Sequence, residues 1–275
     1  MKHLLLPLFV MGFIFAVSAQ PLVLPLYSDG SVTEIADGGE WEPEIHVYLP
    51  ENPNGQAVVV CPGGGYKGLS FSPEGIAVAK WLNQRGVAGI VLRYRMPRGR
   101  YSVPAEDAAA AMRMTRAHAA EWGINTARVG IMGFSAGGHL ASTALTSFTG
   151  DERPNFGVLF YPVISMQSSV AHGGSRFNLM GRAPDKEIVE RFSSELHVTA
   201  DTPPTLLILC SDDPAVKPRN SIRFYEALIA AKVPAEMHIY PSGGHGWGFG
   251  NTVFPYYDEF KTALSRWLSE QNNRP

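Results

Sequence analysis

Cysteine is almost absent from this chain: only Cys61 and Cys210 occur, there is no CxxC pair, and no HExxH segment is present. A disulfide scaffold is thereby excluded, and neither motif supports a metal centre. Both cysteines end apolar, strand-like runs, and the 275-residue chain is long enough to bury a large core without staples, so two buried thiols are expected rather than a bridge. Charge of either sign is also scarce, with 23 Lys and Arg against 25 Asp and Glu and a formal net charge of −2. That balance offers no surface for nucleic acid. Long apolar runs are confined to the first residues, and the run from Leu4 to Val17 is shorter than the roughly 20 residues a membrane span needs. Lys2 and His3 precede it and Val17-Ser18-Ala19 follows, which is the pattern of a signal peptide over residues 1–19. A secreted or periplasmic protein is expected, with no stable membrane insertion after cleavage. The residue directly after the cleavage point is Gln20 and not a cysteine, so lipid attachment is not expected. The sequence carries no signal of oligomeric state.

Residues 20–275 alternate short β-branched runs with longer helical patterns. "AVVVCP", "VAGIVLRY", "RVGIMG", "FGVLFYP", "TLLILC" and "AEMHIY" are near-continuous apolar runs, as expected of strands covered on both faces. The pattern predicts a single α/β domain, a mostly parallel central sheet with helices on both faces and right-handed crossovers. "EIHVYLP" adds an antiparallel leading strand, and "FPYYDEFKTALSRWLSEQ" a closing helix. Residues 163–200 are too long for a simple crossover. They are read as an insertion near the active site, after the sixth strand, and helical around Asp185 to Ser194.

The chemistry starts at Gly133-Phe134-Ser135-Ala136-Gly137, a G-x-S-x-G sequence with a strand before it and a helix after it. Such a turn exposes the serine hydroxyl at the sheet edge and aims the free N–H groups of the helix N-terminus at developing negative charge. A serine needs a base. His139 sits one helical turn beyond Ser135, beside or beneath the turn, and is expected to be a supporting group. His46 and His238 lie inside strands and His118 in a helix, whereas His172 and His197 in segment 163–200 remain open as bases. His245, in the glycine-rich "YPSGGHGWGFG" after the last strand, is placed to cross the sheet edge, and it is the expected base. The acid should lie between serine and histidine, after a strand. Asp212 and Asp213 both qualify. Asp213 is favoured because Pro214 biases it to project from the edge, with Asp212 then a loop-stabilising carboxylate and Asp201 an outside candidate. The glycines of "CPGGGYKG" suit an oxyanion hole, with the N–H groups of Gly64, Gly65 and Ala136 as expected donors. No cofactor and no metal are required by this chemistry.

The order "PGGGY", "GFSAGG", "SDDPAV", "GGHGWG" resembles the α/β-hydrolase fold over nearly the whole mature chain. "RFSSELHVTADTPPTLLILCSDDPAVKPRNSIRFYEAL" and "PAEMHIYPSGGHGWG" are similar to secreted bacterial esterases related to acetyl xylan esterases. Pro62 stands where many such esterases carry a histidine, so backbone donors survive and that side chain's bonds do not. The resemblance implies a secreted serine carboxylesterase that removes acetyl groups from xylan or xylo-oligosaccharides, with an acylated carbohydrate as its partner. It also suggests Tyr66, Phe134, Tyr161 and Trp247 as aromatic walls of a substrate site, Tyr66 being an alternative donor position. Small peptidases, amidases and dienelactone hydrolases share the fold. A noncatalytic binding protein on this scaffold would be expected to lack a triad member, and none is missing.

Overall fold

A computed structural model describes residues 20–27 and 41–273. The proposed signal peptide lies outside the described residues. Eight strands form one sheet: β1 (Leu22–Pro25), β2 (Glu44–Tyr48), β3 (Ala57–Cys61), β4 (Ala88–Arg93), β5 (Val129–Phe134), β6 (Gly157–Phe160), β7 (Thr205–Cys210) and β8 (Ala235–Tyr240). Their spatial order is β1-β2-β4-β3-β5-β6-β7-β8. The pairings from β4 through β3 to β8 are parallel, and β2 runs against both of its neighbours. The expected leading antiparallel strand is therefore β2.

β1 is an additional strand that the sequence pattern did not suggest. It is four residues long and lies between Pro21 and a terminal Pro25, with Leu22 and Val23 more than two-fifths exposed. Proline cannot donate to a ladder, which confines so short a run to the sheet edge.

The helices are α1 (Ala77–Asn83), α2 (Val103–Ala117), α3 (Ala136–Ser147), α4 (Gly173–Met180), α5 (Lys186–Arg191), α6 (Arg219–Ala230) and α7 (Tyr257–Asn272). Side chains along a strand alternate between faces, and that alternation builds two cores. Val59, Cys61, Ile131, Leu159 and Leu207 pack with Met112, Leu140, Ala141, Phe224 and Leu228, so α2, α3 and α6 cover one face. Val58, Val60, Met132, Phe134, Val158 and Phe160 pack with Trp81, Leu82, Phe260, Leu264 and Trp267, so α1 and α7 cover the other. Sandwiched strands such as β3, β5 and β7 are buried at every position, which explains why their sequences read as unbroken apolar runs.

The connection from β6 to β7 holds α4 and α5, the latter within the stretch expected to be helical. Cys61 and Cys210 are buried free thiols at the ends of β3 and β7. Among the described residues, no helix is long and apolar enough to cross a membrane and no cluster of candidate metal ligands occurs. The parallel strands share one direction, so the loops after β3, β5, β6, β7 and β8 all emerge at the same edge.

Candidate active site

Ser135 lies between β5 and α3 with φ 52° and ψ −115°, a left-handed conformation that a residue with a side chain adopts at a cost. Neighbouring bonds hold it there. Its N–H donates to the Phe160 carbonyl at 3.0 Å, and its own carbonyl accepts from Val163 and His139. The flanking glycines are needed for close approach: a Cβ on Gly133 would lie 2.1 Å from the Gly137 carbonyl oxygen, and one on Gly137 would lie 2.1 Å from that of Cys61. No larger residue fits either site without moving backbone.

The loop after β8 brings His245 over this turn. His245 Nε2 lies 2.8 Å from Ser135 Oγ, and Nδ1 lies 2.6 Å from Asp213 Oδ2. A carboxylate only accepts, so Nδ1 carries the proton and Nε2 presents its lone pair to the serine hydroxyl. The Asp213 side chain is 1% exposed, and its other oxygen accepts the N–H groups of Ala215 and Val216, each at 2.9 Å. Asp212 plays the loop-holding part expected of the second carboxylate, accepting from Gly243 and Gly244 at the base of the His245 loop. The three residues favoured on spacing are thus brought together. The other candidates are not: Asp201 is exposed and its carbonyl accepts from Arg153, while His197 binds the Glu190 carbonyl. His172 caps α4, its Nδ1 held by the N–H and hydroxyl of Ser175. Burial chiefly lowers its pKa, and it lies near enough to His245 and Asp213 for their charges to act on it as well, but it makes no hydrogen bond to Ser135.

His139 is buried beneath the turn. Its Nε2 bonds the Phe192 carbonyl at 2.7 Å, so Nε2 carries the proton and Nδ1 accepts from the Tyr66 hydroxyl at 2.8 Å. Burial lowers its pKa to about 4, against a smaller opposing effect of the Phe192 bond. The ring is neutral and tied at both nitrogens.

The loop after β3 faces the same turn. Tyr94 donates to the Pro62 carbonyl at 2.7 Å, Asn178 of α4 donates to the Gly65 carbonyl at 2.8 Å, and the Gly63 N–H donates to Glu74 at 2.8 Å. Among the described residues, the N–H groups of Gly64, Gly65, Tyr66 and Ala136 have no protein acceptor. Ala136 is also the first residue of α3, where the helix dipole favours negative charge. Spare donors on two segments flanking a serine with a base on its hydroxyl suit nucleophilic attack on a carbonyl and a tetrahedral oxyanion.

The aromatic walls suggested by the family resemblance need correcting. Tyr66, Phe134, Tyr161 and Trp247 are each no more than 2% exposed. Phe134 stacks on Phe160 at 4.7 Å between ring centres, and Trp247 on Phe254 at 4.2 Å, inside the α1 and α7 core. Tyr66 is spent on His139, and Tyr161 donates to Glu74 while its ring edge supports His245 at 4.7 Å. These rings close the floor of the site instead of presenting faces to a ligand. Glu74, Tyr94 and Asn178 were not found from the sequence. Glu74 reads there as an acidic first-turn residue, a position that is ordinarily solvated.

The BD-FAE family profile matches residues 45–228. Over 257 residues the chain is 40% identical to an acetylxylan esterase of Xylanibacter ruminicola, covering 92% of this chain and 51% of that protein. It is 31% identical over 228 residues to endo-1,4-beta-xylanase B of Butyrivibrio fibrisolvens, covering 77% of this chain and 36% of that one. The chain thus spans about half of the length of the first of these curated relatives and about a third of the second. Among solved structures, an acetyl ester-xyloside bifunctional hydrolase from Caldicellulosiruptor lactoaceticus superposes with a TM-score of 0.84 at 32% identity, over 93% of this chain and 98% of that one.

Proposed function

The chain belongs to the BD-FAE family and has the α/β-hydrolase fold, and on that premise we propose that it is a serine carboxylesterase removing acetyl groups from xylan or xylo-oligosaccharides. The observation that carries this proposal is the hydrogen-bonded series Asp213, His245, Ser135, at 2.6 and 2.8 Å. In the first half-reaction His245 Nε2 takes the proton from Ser135 Oγ as that oxygen attacks the ester carbonyl. The oxyanion is received by the N–H groups of Ala136 and of Gly64 or Gly65, each worth about 3 kcal/mol of barrier. The tetrahedral intermediate then collapses, the bond from the carbonyl carbon to the sugar oxygen breaks as His245 returns the proton to that oxygen, and the sugar leaves as an alcohol with an acyl-serine remaining. Water, deprotonated by the same nitrogen, attacks that ester and releases acetate. Asp213 keeps the imidazole in the required tautomer and stabilises its cation. The substrate class is supported by similarity to proteins named for acetylated xylan and acetyl xylosides. Export is part of the proposal. It is supported by the pattern of residues 1–19 and is tested by N-terminal sequencing of the protein recovered outside the cytoplasm.

The substrate is tested by assaying acetate release from acetylated xylan beside cleavage of short p-nitrophenyl esters and aminoacyl anilides, with Ser135→Ala as control. Acetate release that vanishes in the control is expected. Rapid anilide cleavage without acetate release would overturn the proposed substrate class.

A further inference from the structure

Glu74 is a carboxylate in the wrong place for a solvated side chain. It is 3% exposed, sits in the π-helical turn Ser72–Ile76 just before α1, and among the described residues forms no salt bridge. Burial pushes its pKa above the usual carboxylate range, partly offset by the hydrogen bonds from Tyr161 and Gly63 and, to a smaller extent, by the charge of His245 and the side chain of Ser70. A buried charge is retained only where its hydrogen bonds are made, and here each oxygen has an assigned donor.

Oε2 accepts the Gly63 N–H at 2.8 Å, and Gly63 immediately precedes the proposed oxyanion donors Gly64 and Gly65. Oε1 accepts the Tyr161 hydroxyl at 2.8 Å. That hydroxyl in turn accepts the Gly248 N–H at 3.0 Å, three residues beyond His245. The series therefore has a fixed direction: Gly248 donates to Tyr161, Tyr161 donates to Glu74, and Gly63 donates to the opposite oxygen. Packing repeats the connection. A Cβ on Gly63 would lie 2.7 Å from Glu74 Oε2 and 3.0 Å from the Ser135 Cβ, and one on Gly248 would lie 3.3 Å from Glu74 Cγ. The Phe249 N–H donates to the Pro73 carbonyl at 2.9 Å. Tyr161 is itself held at φ 36°, its ring edge against His245. One side chain thus joins the loop after β3, the residue after β6 and the loop after β8.

We infer that Glu74 is a positioning residue which, through Gly63 and through Tyr161 and Gly248, holds the oxyanion-donor loop and the His245 loop in mutual register over Ser135. The inference rests on the proposed serine-esterase chemistry. Glutamine at position 74 keeps the shape and one acceptor oxygen, but its NH2 group must meet either the Gly63 N–H or the Tyr161 hydroxyl. With the NH2 toward Gly63 that bond is lost, and with it toward Tyr161 the hydroxyl must turn to accept from it, which reverses that bond and leaves the hydroxyl proton without the carboxylate that now receives it.

The experiment compares Glu74→Gln, Tyr161→Phe and the double variant with the wild-type full chain. Turnover of p-nitrophenyl acetate is divided by the sites that react with a fluorophosphonate, so that misfolded protein does not count. Each single variant is expected to lose about 10- to 100-fold in kcat per reactive site, the scale of a displacement near 1 Å, with KM changed less than threefold. The double variant is expected to be no worse than the poorer single one, because both cut the same series. Unchanged kcat per reactive site with only a lowered melting temperature would make Glu74 a structural residue and overturn the inference, as would losses that multiply. Should Glu74→Gln fail to fold, Tyr161→Phe decides alone, since its ring remains to fill the same space. If the wild type hydrolyses no ester yet reacts with the fluorophosphonate, the proposed function falls, and the rates of that reaction in the variants judge Glu74. An unreactive wild type overturns both.

Discussion

Replacing Asp213 by Asn exchanges one carboxylate oxygen for an NH2 group and reverses the direction of the hydrogen bonds through His245. Asp213 Oδ1 accepts from two backbone N–H groups, Ala215 and Val216, and Oδ2 faces His245 Nδ1. In the variant the single amide oxygen is claimed by the two backbone donors, so the NH2 group is turned toward the imidazole. Nδ1 must then accept, the ring proton moves to Nε2, and Nε2 presents an N–H to Ser135 Oγ where a lone pair is needed. The expected loss in kcat is about 10⁴-fold, as the same replacement produces in serine proteases. That corresponds to about 5.5 kcal/mol of barrier. Stability should change little, because both backbone bonds survive. The comparison is Asp212→Asn, which keeps one acceptor for Gly243 and Gly244 and is expected to lose less than about tenfold, the scale of one ordinary hydrogen bond. Stopped-flow hydrolysis of p-nitrophenyl acetate, with melting curves of both variants, reads all these quantities. Loss of activity in Asp212→Asn with Asp213→Asn nearly intact would refute the argument.

Three further outcomes follow from burial and close approach. His139 is neutral in the folded protein with its pKa lowered to about 4, whereas an unfolded histidine titrates near 6.5. The unfolded chain therefore binds the extra proton first, and the stability contributed by neutral His139 is present above pH 6.5 and lost as the pH falls toward 4. The slope is about 1.4 kcal/mol per pH unit, and urea midpoints of His139→Gln should show a flatter acid limb than wild type. Gly137→Ala places a methyl 2.1 Å from the Cys61 carbonyl oxygen and should cost about 3 kcal/mol or more, seen as a lowered urea midpoint or loss of soluble protein. Burial pushes the Cys61 thiol far up and that of Cys210 to about 11. Neither thiol should react with an aromatic disulfide reagent at pH 8 until urea unfolds the chain, and reductant should leave the melting temperature unchanged.

The parts of the site that could be read from the sequence are those where local geometry forces residue identity. A serine in a tight strand-to-helix turn excludes Cβ atoms at Gly133 and Gly137, so its signature survives in five consecutive residues. Asp213 was separable from Asp212 because Pro214 restricts the residue before it. What was missed or misassigned depends on which distant surfaces meet. Phe134, Tyr161 and Trp247 look like any aromatics beside a functional loop, and only packing against α1 and α7 shows that they are floor and core. Glu74 reads as a surface residue because the loops that bury it arrive from positions 161 and 248. α4 begins with two glycines, poor helix formers. It is held by the His172 cap, by Arg176 on the Met166 carbonyl and by Asn178 on Gly65, contacts that its own eight residues do not announce.

The assignment of Ser135 as the acylated residue is decided by treating the wild-type protein with a fluorophosphonate, digesting it and locating the added mass by tandem mass spectrometry. One phosphonyl group per chain is expected, on the peptide containing Ser135, with ester hydrolysis lost in step with labelling and neither label nor hydrolysis in Ser135→Ala. Label on another residue, or hydrolysis that persists in Ser135→Ala, would contradict the mechanism.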